Sequence, residues 1–383
     1  MHVKLSLRNL LALAALAGGL TQAAVLPEDR ADVLYHHYEG GGVTVEGPSV
    51  LVRKKVGESV SVAANYYVDM ISSASVDVLT QASPYKERRE QKSLSVDYLH
   101  GKSIYSAGYV NSQEPDYQSK TAFFNVSQDL FGDLTTVTLG YSQGWDTVGK
   151  RGDPSFAQPV DRRNFRIGVT QVITRNMLLG LNLETTTEEG YLQNPYRSMR
   201  YLGPVSGTYA TGPEIYPRTR TGTASAATIK YYLPWRAAAE GQYRFFTDTW
   251  GIRAHTAGLE YTQPAWGKWI FTGRYRFYTQ NAATFYSDLF PSATYQNFMA
   301  RDKEFAAYTT NTLGVGGSYQ FPLFFASQWL KKGTVNLNYD HIMINYKDFR
   351  DLRGFPPGTV IPGTEPLYSS NANVIQLFFS FWY

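Results

Sequence analysis

The sequence predicts an all-β protein, a transmembrane antiparallel up-and-down β-barrel of about sixteen strands with short periplasmic turns and long external loops. Segments in which apolar and polar residues alternate recur along almost the whole chain, and the connections between them are alternately short and long. The last segment, NVIQLFFSFWY, is strongly apolar at a chain end, where a soluble domain would fray into water. These three observations carry the prediction.

The N-terminal residues have the features of a secretory signal peptide. Lys4 and Arg8 precede the apolar run Leu10–Leu20, and small residues follow it. The run is shorter than the roughly 20 residues of a membrane-spanning helix. We therefore expect a signal peptide of residues 1–23 and a single barrel domain of residues 24–383.

Composition excludes several classes of protein. The chain has no Cys, so we expect neither disulfides, nor a lipid-anchored N-terminus, nor a thiolate metal site. Without Lys4 and Arg8 the 36 basic residues become 34, against 32 acidic residues, which is too balanced for a nucleic-acid-binding protein. Charged residues are 18% of the chain and aromatic residues 15%, with 29 Tyr, a residue that collects at membrane–water boundaries.

Alternation of period two identifies the strands, because successive strand side chains point to opposite faces. In Met177–Glu184, for example, every second residue is Met or Leu. The predicted strands lie near residues 31–39, 48–56, 59–70, 92–100, 102–111, 119–129, 134–144, 162–174, 177–188, 219–232, 235–248, 252–263, 267–279, 306–321, 333–347 and 371–383.

The connections support a closed barrel. Short links such as His100–Ser103 and Thr174–Met177 alternate with links on the other side, most of them long. The long loops are predicted at residues 71–91, 145–161, 189–218, 280–305 and 348–370. Transmembrane barrels have this pattern, and an even strand number places both termini at the short-turn side, in the periplasm.

A membrane barrel accounts for the strands better than a soluble fold does. Soluble strands are commonly about 5–6 residues long, whereas a tilted spanning strand needs roughly 9–11. A propeller would repeat about every 40–45 residues, and no such repeat is visible. We therefore expect a location in the outer membrane of a Gram-negative bacterium.

The last strand is expected to pair with the first and close the barrel. Its lipid-facing residues also resemble the signal that the outer-membrane insertion machinery reads during biogenesis. This predicted membrane-insertion signal consists of Ile375, Leu377, Phe379, Phe381 and Tyr383. The competing interpretation is an apolar core strand at the C-terminus.

Three stretches resemble an uncharacterised family of bacterial outer-membrane proteins, domain of unknown function 3570. They are YHHYEGGGVTVEGPSVLVRKKVGESVSVAANYYVD (Tyr35–Asp69), SSASVD (Ser72–Asp77) and FGDLTTVTLGYSQGWDTVGKRGD (Phe131–Asp153). The resemblance implies a β-barrel in the outer membrane and covers nearly the whole mature chain. It brings no established activity and no assigned catalytic residues.

A barrel of sixteen strands is wide enough for a water-filled lumen. Ten charged residues are predicted to face it: Asp97, Arg166, Glu184, Lys230, Glu240, Arg244, Glu260, Arg274, Arg276 and Asp340. Five are acidic and five basic, so we expect a weakly selective, porin-like channel for small polar solutes. Arg274 and Arg276, neighbours on one face, are the predicted local contact for an anion. Alternatively, these charges merely brace and solvate the wall.

Two other functions remain open. A non-porous barrel could anchor a periplasmic lipoprotein or a surface partner, since bulky aromatic side chains also point inward. An outer-membrane hydrolase is less favoured, because no motif marks a catalytic site and His36 and His37, being adjacent on a strand, point to opposite sides. We therefore expect no enzyme activity, no catalytic residues, no metal and no cofactor.

Cationic segments of the predicted external loops are candidates for holding the phosphates of lipopolysaccharide. They are YKERRE (Tyr85–Glu90), GKRGDP (Gly149–Pro154), DRR (Asp161–Arg163) and KDFRDLR (Lys347–Arg353). Solvated charge on exposed loops is the simpler explanation of the same residues. The expected partners are therefore the lipid bilayer, lipopolysaccharide, the insertion machinery and a periplasmic lipoprotein.

Overall fold

The computed structural model describes residues 24–73, 85–322, 330–355 and 358–383. The predicted signal peptide, residues 1–23, lies outside the described residues, as does the middle of the predicted loop 71–91. None of the helices found in the described ranges is long and apolar enough to cross a membrane.

The chain is built from β-strands along its length. The first nine are β1 (Arg30–Gly40), β2 (Val43–Val56), β3 (Val60–Ser73), β4 (Tyr85–His100), β5 (Ser103–Glu114), β6 (Tyr117–Leu130), β7 (Thr135–Lys150), β8 (Asp153–Thr174) and β9 (Met177–Gly190). The others are β10 (Ser198–Leu202), β11 (Tyr209–Pro213), β12 (Thr219–Tyr232), β13 (Ala238–Asp248), β14 (Arg253–Ala265), β15 (Trp269–Gln280), β16 (Tyr308–Phe321), β17 (Lys332–Arg350) and β18 (Leu367–Trp382). A 3₁₀ turn spans Lys303–Phe305.

Sixteen of the strands in the described ranges form one closed antiparallel barrel, in which each pairs with its sequence neighbours. β9 pairs with β12, because β10 and β11 form a separate two-stranded hairpin. β1 closes the barrel against β18, from Arg30 opposite Trp382 to Gly40 opposite Ala372. The predicted fold class and the pairing of the first strand with the last are thus confirmed. Closure leaves no strand edge whose backbone N–H and C=O groups would face lipid without hydrogen-bond partners.

Alternation divides the wall into an outward apolar face and an interior polar face. On β14, Leu259 is 65% exposed, and on β16, Val315 is 61% exposed. Apolar side chains this exposed are expected where the surrounding solvent is hydrocarbon. The side chains between them, such as Glu260, lie on the interior face.

Several strands extend three or more residues beyond the predicted ends, in each case at the end of the barrel that carries the long loops, here called the long-loop end. The predicted loop 145–161 is wrong, because β7 and β8 continue as a hairpin to a tip at residues 151–152. YKERRE and DRR likewise lie within β4 and β8, and Lys347–Arg350 of KDFRDLR lie within β17, rather than in loops. Where both faces of a strand contact water, the backbone hydrogen bonding between strands continues although the alternation of apolar and polar residues ends. The sequence pattern therefore underestimates the length of these strands.

Candidate functional site: the interior wall and the loop layer

The ten charged residues predicted to face the lumen all lie on the interior face. Asp97 lies between the exposed Val96 and Tyr98, and Arg166 between the exposed Phe165 and Ile167. The other eight have the same relation to the outward side chains of their strands: Glu184, Lys230, Glu240, Arg244, Glu260, Arg274, Arg276 and Asp340.

Most of these charges form ion pairs across the wall. Asp97 accepts a hydrogen bond of 2.7 Å from Arg53 Nη1 and one of 2.6 Å from the Ser106 hydroxyl. Arg166 Nη2 lies 3.6 Å from Glu184 Oε1. This part of the wall is therefore both polar and locally neutral.

Five charges form a row around the barrel at one level, hereafter the charged row. Register places Lys230, Glu240, Glu260, Arg274 and Asp340 side by side on β12 to β15 and β17. Lys230 Nζ is 2.9 Å from Glu240 Oε2, and Arg274 Nη2 is 2.9 Å from Asp340 Oδ1. β16 contributes Gly314 at this level, so that the second pair meets across a residue without a side chain.

Arg244 and Arg276 are the two basic residues among the ten that, like the acidic Glu260, stand outside these ion pairs. Within the part of the chain that the structure describes, neither forms an ion pair with a carboxylate. Arg276 is exposed to the interior, opposite Gly258 on one side and Thr312 on the other, and Arg244 lies 5.6 Å from the ring centroid of Phe246. The candidate anion contact is therefore Arg276 with Arg244 rather than Arg276 with Arg274, because Asp340 neutralises Arg274.

Three connections at the long-loop end fold over the interior wall. We call them loop A (191–218, containing β10 and β11), loop B (281–307) and loop C (351–355 and 358–366), and together the loop layer. They contact strand residues of the interior face. Gln280 Nε2 donates to the carbonyls of Glu304 and Ala306 at 2.9 and 2.8 Å, and the backbone N–H of Arg350 donates to Asp288 Oδ1 at 3.1 Å. The layer therefore narrows the mouth of the barrel from within.

A buried ion network joins the three loops. Arg200 of loop A, 1% exposed, donates to Glu365 of loop C at 2.5 and 3.1 Å and to the Asp288 carbonyl of loop B at 2.8 Å. Its guanidinium also donates to the Asp288 carboxylate. Arg301 donates to the other oxygen of that carboxylate at 3.0 Å. Two arginines face two carboxylates, so the network is neutral.

A second buried cluster brings the carboxyl groups of Glu214, Asp302 and Glu304 close together. Glu214 Oε1 accepts a hydrogen bond of 2.7 Å from the backbone N–H of Arg301, and its other oxygen accepts one from the Tyr216 hydroxyl. Burial, reinforced by the charge of Asp302, raises the pKa of Glu214 to about 7, although Arg197 opposes the shift. The same causes raise the pKa of Glu304 to about 8.

Aromatic packing anchors loops A and B to the wall. Tyr216, Phe285 and Phe305 from the loops pack around Trp250, which lies in the link between β13 and β14. Ring centroids in this cluster lie 5.1–5.9 Å apart, mostly edge to face, the arrangement that aromatic quadrupoles favour. Loop A also reaches the opposite side of the mouth, where the Tyr196 hydroxyl donates to Asp116 Oδ2 at 3.0 Å.

His36 and His37, adjacent on β1, lie on opposite faces of the wall. His36 is buried on the interior face with its Nε2 2.8 Å from Asp69 Oδ1, whereas His37 lies on the outward face, 3.1 Å from Glu46. Across the described ranges, no three His, Asp or Glu side chains are grouped so that they could hold a metal ion.

The residues predicted as an insertion signal lie on β18, apart from the terminal Tyr383. Ile375 and Leu377 are 42% and 37% exposed on the outward face, and Phe379, Phe381 and Tyr383 are partly buried. The Tyr383 hydroxyl donates to the Arg53 carbonyl at 2.9 Å, across the seam of the barrel. Their role as a signal stays a prediction.

Length and composition made residues 189–218 or 280–305 candidates for a loop that folds inward, but sequence reasoning did not predict the loop layer or its contacts. Its key residues, Arg200, Glu214, Asp288, Arg301 and Glu365, stand in segments without periodic apolar pattern. The available signal was a concentration of charged and aromatic residues in two long connections. Such a composition does not distinguish a solvated loop from a packed one.

Comparison with known proteins places the chain in a family of undefined function. The family model described as protein of unknown function DUF3570 matches residues 75–341. No curated protein sequence shows significant similarity to the chain.

Solved structures show a distant similarity. A bacterial polysaccharide outer membrane secretin matches at TM-score 0.49 and 8% identity, covering 94% of this chain and 100% of that chain. OmpT, an outer membrane protein of Vibrio cholerae, matches at 0.42 and 11%, covering 94% and 100%. The outer membrane protein OpdK of Pseudomonas aeruginosa matches at 0.42 and 10%, covering 93% and 100%. Similarity at this level indicates nothing about what the present protein binds or transports.

Proposed function

This chain belongs to the DUF3570 family of proteins of unknown function, and we propose that it is a weakly selective, porin-like channel for small polar solutes in the outer membrane of a Gram-negative bacterium. The observation that carries the proposal is the polar interior of a barrel of sixteen strands. Barrels of this strand number are wide enough for an aqueous channel. A wall lined by the charged row and by further ion pairs is stable where water fills the space.

The distribution of charge supports weak selectivity. Opposite charges cancel locally within each of the ion pairs Arg53–Asp97, Lys230–Glu240 and Arg274–Asp340. Among the ten predicted lumen charges, Arg244 and Arg276 outnumber the unpaired Glu260 and leave a small positive excess near the loop layer, in the same part of the wall as Tyr278. The channel is therefore expected to favour anions slightly and to discriminate mainly by size at the loop layer.

A planar-bilayer recording tests this function. Purified protein should give discrete single-channel currents with a slight anion preference. The double substitution Arg244→Gln/Arg276→Gln should shift the reversal potential in a salt gradient toward cations by a few millivolts, because it removes unpaired positive charge from the lumen. Arg88→Gln/Arg163→Gln removes the same charge from exposed outward positions and should leave the reversal potential unchanged. An electrically silent barrel would contradict the proposal.

A second candidate, a non-porous barrel that anchors a partner, draws support from the loop layer itself. Loops joined by buried ion pairs and an aromatic cluster are suited to hold a mouth closed. A stoichiometric lipoprotein that copurifies with the barrel, together with absent conductance, would favour this candidate. In neither case does the proposed function include a catalytic step.

A further inference from the structure

A cationic pocket on the outward surface at the long-loop end has no part in the proposed channel. It has a volume of about 730 Å³ and lies between β13 and β17. Its outward lining includes Thr247, Arg253, His255, Thr279 and Lys347, with Asn281 at the end of β15. Alternation places these strand side chains on the same face as the exposed apolar residues and opposite to the lumen.

The charge of the pocket is positive. Arg253, His255 and Lys347 are exposed. The one carboxylate in the lining, Asp248, is already neutralised, because its Oδ2 accepts hydrogen bonds of 2.8 and 2.6 Å from Arg220 and its Oδ1 accepts from two backbone N–H groups. Within the described residues neither Arg253 nor Lys347 forms an ion pair. The pocket therefore presents cations to an anion that comes from outside the chain.

The spacing of the cations suits a large anionic head group. Arg253 lies on β14 and Lys347 on β17, so their backbones are three strand spacings apart, about 14 Å. The long side chains of these two residues can both contact a single ligand that lies between them and carries more than one anionic group. Thr279 lies on β15, between the two cations, and Thr247 lies on β13 beside Arg253; their hydroxyl groups can hydrogen bond to sugar hydroxyls or phosphate oxygens.

The position of the pocket selects a lipid over a dissolved anion. Leu259, 65% exposed, lies four residues from His255 along β14 and on the same face, about 13 Å below the pocket. Tyr243 and Phe245, next to His255 on β13, mark the transition, with the Tyr243 hydroxyl 2.7 Å from His255 Nδ1. Aromatic residues with a polar group are typical of the membrane–water boundary. A ligand with acyl chains on the apolar wall would place its head group in this pocket.

We propose that the pocket formed by Thr247, Arg253, His255, Thr279 and Lys347 binds the phosphorylated sugar head group of a glycolipid, the chemical class of lipopolysaccharide. Arg253 and Lys347 contact the phosphates, and the hydroxyl groups contact the sugar. The site is distinct from the cationic segments singled out in the sequence, with which it shares only Lys347.

Binding of lipid A by the purified full-length barrel in detergent tests the site. The probes are lipid A with its phosphates, dephosphorylated lipid A and inorganic phosphate, and binding is measured by native mass spectrometry and by the shift in melting temperature. The wild type should bind phosphorylated lipid A at least about fivefold more tightly than the dephosphorylated form. Arg253→Gln/Lys347→Gln should reduce that affinity about tenfold, whereas Arg253→Lys/Lys347→Arg should retain most of it.

Lys92→Gln/Lys120→Gln, the same loss of outward charge on β4 and β6, outside both the pocket and the cationic segments, is the matched control and should bind within about twofold of the wild type. Heat-modifiable migration on gels shows that each variant is folded. Equal binding of phosphorylated and dephosphorylated lipid A, an equal loss in the control, or inorganic phosphate that binds as tightly as the lipid would each overturn the proposal. None of these results depends on whether the barrel conducts.

Discussion

At the scale of single residues, Gly314 shows how one missing side chain permits an interior ion pair. Arg274 on β15 and Asp340 on β17 are separated by β16, and Gly314 is the residue between them. A Cβ at Gly314 would lie 2.0 Å from Asp340 Oδ1 and 3.0 Å from Arg274 Nε. Any larger residue would therefore separate the two charges.

We expect Gly314→Ala to lower the free energy of unfolding by about 1–3 kcal/mol, because the added methyl group overpacks the site and breaks the ion pair. Gly273→Ala is the matched control, since a Cβ there has nothing within 4 Å. Its effect should stay within about 0.5 kcal/mol. Reversible denaturation by urea in lipid vesicles measures both, and equal stabilities would refute this explanation of Gly314.

At the scale of elements, the loop layer combines a neutral ion network with buried carboxyl groups. Arg200 contacts both other loops, and removing one partner of a buried ion pair costs about 3–5 kcal/mol because the remaining charges are left buried without compensation. Glu214 and Glu304 act differently, because burial favours their protonated forms. Their charge is therefore a source of pH dependence within the layer.

The sign of this dependence follows from the direction of the shifts. A carboxyl group whose pKa is raised on folding contributes fully below its usual value of 4.5, and the contribution is lost as the pH rises through about 7 for Glu214 and about 8 for Glu304. We expect the loop layer to loosen as the pH rises from about 4.5 to about 8. Proteolytic cleavage within loops A–C, measured at constant protease activity, should increase about tenfold over this range.

Glu214→Gln removes the titrating group while keeping its shape, so its cleavage rate should depend less on pH than that of the wild type. Glu39→Gln, at a side chain 72% exposed, is the control and should behave as the wild type does. A wild-type cleavage rate that falls as the pH rises would show that the carboxyl groups stabilise the layer in their charged form.

At the scale of the whole molecule, the closed wall separates an apolar exterior from a polar interior through alternation alone. Leu181, 49% exposed on the outward face of β9, and Asn182, exposed on the interior face, are neighbours in the chain. If hydrocarbon surrounds the barrel and water fills it, the same charge placed at the two positions has very different consequences.

Leu181→Arg should therefore lower the free energy of unfolding by about 2–4 kcal/mol in lipid vesicles, because it places a charge near the bilayer midplane. Asn182→Arg, on the aqueous side and near Glu184, should change it by less than about 1 kcal/mol. The measurement is denaturant titration monitored by Trp fluorescence. Similar costs at both positions would mean that the outward face does not meet lipid.

The barrel itself was predictable from the sequence to within a few residues for most strands. β12 and β9, for instance, begin where alternation begins, at Thr219 and Met177. The errors fall where β4, β7 and β8 rise beyond the apolar band, because there both strand faces are polar and the alternation carries no information. The family resemblance was likewise correct, as the match to residues 75–341 shows.

The sequence by itself determined which side chains face lipid and which face the interior, because a strand in a closed wall has two faces and a period of two assigns every residue to one of them. Only the tertiary structure decided which charges pair and how the mouth is narrowed. Arg200 and Glu365 are 165 positions apart, and Arg274 finds Asp340 across a glycine on an intervening strand. Such contacts depend on how remote segments meet in space, and a local pattern of residues holds no record of them.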